Sequence, residues 1–207
     1  MGEERISILC VEDHPLFRAG IRDLIESQSD MVLVGVAASG AEGINLARQL
    51  MPDVILMDLR LPDMNGIAAT ASIREHRPDA KVLMLTTFEG DAEVQRALAA
   101  GARAYVLKSS SPEELVNAIR HVHAGKKYLP SELAIELAQH VGEAVTPREI
   151  SILKLIAAGN RNKDIAQHLS IAEDTVKGHI KHIMEKLGAR DRTQAVAIAV
   201  QRGIIEL

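Results

Sequence analysis

Five short apolar runs alternate with five amphipathic segments, and a stretch with helical spacing alone follows them. This pattern predicts a doubly wound α/β unit on a five-stranded parallel sheet, then a small all-α unit of four helices. Three observations carry the prediction. The runs at residues 6–11, 31–37, 54–57, 81–86 and 104–107 are rich in β-branched residues and short enough to be strands. The segments between them, at 16–27, 41–50, 67–77, 92–100 and 112–124, repeat apolar residues at helical spacing. After Thr146 no strand-like run recurs.

Local signals support the elements in order. Ser111 before Pro112 gives the fifth helix an N-cap and a proline at a first-turn position that tolerates it. Between the two units, residues 125–144 hold Gly125, Pro130, Gly142 and a helical stretch near 131–140, a tether with one helix of its own. Thr146, Pro147 and Glu149 then form an N-cap, a proline at N1 and a capping box. Helices are expected at 147–158, 162–169, 173–187 and 192–201, with Gly159, Gly188 and Gly203 at C-terminal caps. Val176, Ile180, Ile183 and Leu187, spaced four, three and four, form the buried stripe of the third of these. The domain division expected is 5–124, a linker at 125–144, and 145–207.

Hydrophobic residues make up 47% of the 207-residue chain, enough for real cores, and with 2% aromatics and no Trp those cores are aliphatic. No apolar run approaches the roughly 18 residues of a membrane span. The start, MGEERISI, lacks the basic-then-apolar pattern of a signal peptide. The single Cys10 suits a reducing cytosol and reads as a small core residue. A cytoplasmic protein with no membrane partner is expected. Residues 145–207 carry ten Lys and Arg against seven Asp and Glu, while residues 1–144 carry 14 against 21. An acidic front and a basic tail point to modules with different partners.

In an open parallel sheet, ligands gather at the carboxyl ends of the strands. There the chain places Glu12-Asp13, Asp58, Thr86-Thr87 and Lys108. Each alone reads as a solvated loop charge or a strand-end cap. Together they would bring three carboxylates, a hydroxyl and an ammonium to one edge. Clustered carboxylates repel unless a cation neutralises them, and hard oxygen ligands favour Mg²⁺. Asp58 ends the run "PDVILMD" and is followed by the turn Leu59-Arg60-Leu61-Pro62-Asp63. A charge at the edge of an apolar core needs such a partner. His14, beside Pro15, reads as the start of a loop.

These residues resemble the receiver domain of bacterial two-component response regulators over 5–124. The resemblance implies that Asp58 is a phosphoacceptor served by a sensor histidine kinase and that Glu12, Asp13, Asp58 and the backbone carbonyl of Arg60 hold Mg²⁺. It also implies that Lys108 and Thr86 hold phosphoryl oxygens, with Thr86 and Tyr105 as switch residues. Two departures stand out. The acidic pair is Glu-Asp rather than the commoner Asp-Asp, and Ser109 follows Lys108 where many receivers have Pro, which leaves the isomer of that peptide bond open. A phosphohydrolase of the haloacid dehalogenase type also attacks phosphate with a strand-end Asp, but it needs a second Asp where this chain has Arg60. A dinucleotide site fails because no G-x-G-x-x-G follows the first strand.

In the tail, Lys177 and Lys181 are four apart on an outward face, with His182 beside them, on a helix that follows a helix and a short turn. That matches helix-turn-helix geometry; on spacing alone an ordinary three-helix bundle with a solvated lysine face is the rival, and a tail that only mediates protein contacts is a separate one, which Lys177 and Lys181 disfavour. Thr146-Pro147-Arg148-Glu149, the run 162–166, Thr175-Val176-Lys177, His179, Lys181 and Lys186-Leu187 resemble the LuxR-type DNA-binding domain. The two halves together resemble the NarL/FixJ class. The resemblance implies a transcriptional regulator, not an enzyme, that contacts double-stranded DNA through Lys163, Thr175, Lys177, Gly178, Lys181 and His182. Gly178 departs from the larger side chain common there; it either permits close approach to DNA or removes a base contact. The helix at 192–201 is apolar nearly all round, which suggests a homodimer contact formed on phosphorylation, unless its own domain buries it.

Overall fold

The structure is a computed structural model describing residues 5–87, 91–130 and 145–205. The helix expected near 131–140 lies outside the described residues. The chain divides into two compact units, one holding the sheet and one the C-terminal helices.

The strands are β1 (Ile6–Val11), β2 (Met31–Ala37), β3 (Val54–Asp58), β4 (Val82–Thr86) and β5 (Ala104–Leu107). They form one sheet in the order β2-β1-β3-β4-β5, and each neighbouring pair is parallel. The helices α1 (Pro15–Glu26), α2 (Gly40–Leu50), α3 (Gly66–His76), α4 (Asp91–Ala99) and α5 (Pro112–His123) alternate with the strands. β3 and β4 are buried along their whole length, as strands covered on both faces must be. The core between the sheet, α1 and α5 is aliphatic, built from residues such as Ile8, Ile21, Ile25, Leu56, Leu83 and Ile119.

Helices α1, α2 and α3 start one residue earlier than apolar spacing suggests, because polar caps set them. The side chain of Ser39 accepts from Glu42 N and that of Asn65 accepts from Ile67 N, so α2 and α3 begin at Gly40 and Gly66. His14 is not merely a loop residue: its Nδ1 accepts from Phe17 N at 3.4 Å and caps α1. The chain beyond α5 is likewise more than a tether. Tyr128 N donates to Arg103 O (3.0 Å), and Tyr105 N donates to Tyr128 O (3.2 Å). An edge strand leaves amides that need partners, and Tyr128 accepts from one of them, that of Tyr105 in β5. Its ring lies 5.7 Å from that of His121 and its hydroxyl donates to Glu114 (3.1 Å).

The second unit contains α6 (Pro147–Ala157), α7 (Asn162–Leu169), α8 (Glu173–Leu187) and α9 (Arg192–Gln201). The expected capping box is present: Thr146 N donates to Glu149 Oε2 (2.7 Å) and Glu149 N donates to Thr146 Oγ1 (3.3 Å). The same carboxylate receives Lys186 Nζ at 2.7 Å, which ties α6 to α8. Ser170, at φ 52°, closes α7, so a turn of three residues separates it from α8. Val176, Ile180, Ile183 and Leu187 are buried, as their spacing requires. In α9, Ala195 and Ala199 are buried, Val196, Ile198 and Val200 are half-buried against the core, and Ala197 is exposed. The apolar surface of this helix is therefore only partly used by its own domain. Among the described residues no helix is long and apolar enough to cross a membrane.

Candidate functional site

Strand order reverses direction between β1 and β3, and at such a point the carboxyl ends of the strands open a crevice. Glu12 and Asp13 follow β1 and Asp58 ends β3, so all three flank that crevice; their ligand oxygens lie within 4.8 Å of one another. Glu12 is wholly buried, Asp58 nearly so, and Asp13 is exposed. Lys108, after β5, reaches across to them. Its Nζ lies 3.0 Å from Glu12 Oε1, 2.8 Å from Oε2 and 3.0 Å from Asp58 Oδ2.

One ammonium does not balance three carboxylates. Burial pushes the pKa of Glu12 up, and the hydrogen bond from Lys108 only partly offsets this. Burial also disfavours the Lys108 ammonium, but the hydrogen bonds to Glu12 and Asp58 outweigh it and hold its pKa above the ordinary lysine value. Glu12 Oε2 is buried and receives no hydrogen bond of good geometry. A buried carboxylate oxygen so placed among hard oxygen donors suits a small divalent cation.

The turn after Asp58 is held from three directions. Arg60 N points at Asp58 Oδ1 from 3.4 Å, and Gly66 N donates to Leu59 O at 2.8 Å. A Cβ at Gly66 would run into the main-chain carbonyl of Asp58, so the close return of the chain requires glycine there. Asp63 accepts from Ala41 N (2.9 Å) and Gly40 N (2.8 Å) at the start of α2, and these bonds lower its pKa. Arg60 is exposed, and its backbone bridges to Asn65.

Thr86 is buried at the end of β4, one residue beyond Leu85, the partner of Asp58 in the ladder. Its carbonyl accepts from Lys108 N at 2.6 Å. Tyr105 is fully buried within β5 beside Met84. Glu12, Asp13, Asp58, Thr86 and Lys108 thus meet at one edge, with Tyr105 in the adjacent core. Every described peptide bond is trans, including Lys108–Ser109. Cys10 is buried, and burial pushes its thiol pKa up to about 12, as befits a core residue. Sequence reasoning misses Arg18 and Phe17. Arg18 Nη1 donates to Glu12 O (3.0 Å), and the Phe17 ring lies 4.9 Å from Lys108 Nζ. The signal available was their place on the first turn after the acidic pair.

In the second unit Lys163, Thr175, Lys177, Lys181 and His182 are exposed, on α7 and α8. Gly178 is half-buried, and a Cβ there would meet nothing within 4 Å. Lys177 pairs with Asp174 (2.9 Å) and Glu173 (3.8 Å), and Lys181 with Glu185 (3.8 Å). Spacings of three and four residues along a helix bring such side chains together. Exposed pairs of this kind contribute little, so they are easily exchanged for other partners.

Comparison with known proteins follows the same division. Residues 8–120 match the response regulator receiver domain and residues 143–199 the bacterial regulatory proteins of the luxR family. The response regulator protein VraR of Staphylococcus aureus is 42% identical over 207 residues, covering 97% of this chain and 99% of its own. A structure of RcsB from Salmonella enterica serovar Typhimurium, bound to a promoter in the presence of the phosphomimetic BeF3−, aligns with a TM-score of 0.75 at 25% identity. That alignment covers 96% of this chain and 99% of RcsB. A second structure, of two RcsB dimers bound to two parallel DNAs, aligns with a TM-score of 0.74 at 25% identity, over 96% and 99% of the two chains. Receiver pocket, helix-turn-helix and relatives agree: the chain belongs to the two-component response regulators that join a receiver to a LuxR-type domain, and it is a phosphorylation-controlled DNA-binding regulator of transcription.

Proposed function

We propose that Asp58 accepts a phosphoryl group from a sensor histidine kinase and that the group controls how the C-terminal unit binds double-stranded DNA. The observation that carries this is the position of Asp58: nearly buried at the end of β3, 3.0 Å from Lys108 and beside Glu12 and Asp13. An oxygen of Asp58 forms the new O–P bond as the P–N bond to the kinase histidine breaks, and the electron pair stays on the imidazole nitrogen. Glu12, Asp13, Asp58 and the carbonyl of Arg60 would hold Mg²⁺, which supplies neutralisation of the negative charge gathered there. The ammonium of Lys108 and the hydroxyl of Thr86 take the phosphoryl oxygens. Moving Thr86 toward them alters the packing of Tyr105, and so the surface of the fourth and fifth helices.

The boundaries best suited to this division are 5–124 for the receiver, 125–144 for the linker and 145–207 for the DNA-binding domain. In the latter, α8 enters the major groove, with Thr175, Lys177, Gly178, Lys181 and His182 facing DNA and Lys163 at the backbone. Phosphorylation favours a homodimer on two half-sites, for which the partly exposed apolar side of α9 is a suitable contact. The structure of RcsB dimers bound to DNA supports the reading of a dimer on DNA. The protein acts in the cytoplasm. Incubation with acetyl phosphate and Mg²⁺ tests the pocket: an acid-labile label should appear, vanish in Asp58→Asn and weaken in Asp13→Asn. An acid-stable label, or one surviving in Asp58→Asn, refutes the assignment.

A further inference from the structure

We propose that Phe17 is a positioning residue for phosphoryl acceptance, its ring holding the Lys108 ammonium over the carboxylates. The inference rests on Asp58 being the phosphoacceptor, as proposed above. Lys108 Nζ lies over the Phe17 ring, 4.9 Å from its centroid. Its charged neighbours are Glu12, with Oε2 at 2.8 Å, and Asp58, with Oδ2 at 3.0 Å, and the lysine side chain is only 14% exposed. The ammonium is therefore bounded by carboxylates on two sides and by an aromatic face on another. A cation within about 6 Å of a ring centroid is drawn to the negative face, and the more strongly where water is excluded. An aliphatic side chain would fill the same space without attracting the charge.

The ring is fixed by the loop that carries the acids. Phe17 N donates to His14 Nδ1 (3.4 Å), and His14 N donates to Glu12 Oε1 (3.0 Å), the oxygen that also accepts from Lys108 (3.0 Å). Arg18 closes the loop on Glu12 O at 3.0 Å. Phe17 also packs against the core under α1. Phe17 and Lys108 both line an apolar cleft of about 440 Å³, shared with Leu16, Leu24, Leu85 and Leu115. When acetyl phosphate is the donor, an Asp58 oxygen bonds to phosphorus as the P–O bond to the acetyl group breaks, the electron pair leaving with the acetate, and negative charge on the phosphoryl oxygens meets a cation already in place. Such preorganisation avoids a rearrangement at the moment of reaction.

The test is the initial rate of Asp58 labelling by acetyl phosphate and Mg²⁺ in the full chain. Phe17→Leu and Phe17→Met should slow labelling roughly 3- to 30-fold, and Phe17→Trp should restore it, since only the tryptophan offers a π face. In a Lys108→Met background, Phe17→Leu should add no further loss, because the ring acts through the ammonium. The Lys108 ε-methylene protons should show a ring-current shift in the wild type and in Phe17→Trp that disappears in Phe17→Leu. Wild-type rates in both aliphatic variants, failure of the tryptophan to rescue, or equal losses with and without Lys108 would overturn the inference. Asp58→Asn run alongside separates the two readings. A label persisting there overturns the phosphoacceptor itself, whereas its loss there beside wild-type rates in the Phe17 variants overturns only the role of Phe17.

Discussion

Gly178 is the sixth of the fifteen residues of α8, the proposed recognition helix. A glycine in a helix interior is less favourable than alanine by about 1 kcal/mol, because the unfolded chain it must order is freer. Whether alanine recovers that difference depends on what its methyl group would meet. A Cβ at this position has no heavy atom within 4 Å, and the backbone is not in the left-handed region. No overpacking or strain opposes the gain. Gly178→Ala should therefore stabilise the C-terminal unit by about 0.8–1 kcal/mol, which for a domain of this size raises its Tm by roughly 4–8 °C. Calorimetry of the full chain, with hydrogen exchange at α8 amides to assign the transition, measures it. An unchanged or lowered Tm refutes the reasoning. DNA binding by the same variant decides what the glycine is for: lost affinity in a more stable domain marks a backbone that approaches DNA, and retained affinity marks an omitted base contact.

Glu149 gives a pH dependence. Burial works to raise its pKa, but the hydrogen bonds from Lys186 and Thr146 prevail and hold it below the usual glutamate value. A group with a depressed folded pKa contributes stability above its unfolded pKa, about 4.5, and loses it as pH falls through the folded value. Thermal melts of the C-terminal unit should therefore fall below that pH, and Glu149→Gln should flatten this loss while lowering stability at neutral pH by roughly 2 kcal/mol; a parallel pH profile in the variant would contradict the assignment. Replacing Lys177 and Lys181 by Ala should weaken DNA binding roughly tenfold to a hundredfold. Loss concentrated on one operator sequence indicates base contacts, and uniform loss with a shallower salt slope indicates phosphate contacts. Unchanged binding in the double variant excludes α8 as the DNA-facing helix.

Much of this molecule is local physics, and local physics is written in sequence. The strands and helices follow from apolar period, the capping box at Thr146 and Glu149 from residue types three apart, and the buried stripe of α8 from four-three-four spacing. Even the pocket was legible, because a parallel sheet sends the carboxyl ends of its strands to one edge, and the acids, threonine and lysine stand at those ends. Contacts between residues far apart along the chain carry no such period. Phe17 meets Lys108 across 91 positions, Glu149 takes Lys186 across 37, and Tyr128 covers β5 beside the buried Tyr105. Each depends on how helices and loops are seated on the sheet or on one another, to within about an ångström. Helix starts moved for the same kind of reason, since Ser39, Asn65 and His14 act as caps only when a backbone amide comes within reach. Sequence alone decided which chemistry gathers at the strand ends. Tertiary packing decided which ring, cap and counter-charge hold it in place, because those interactions act over distances far shorter than any repeat in the chain can encode.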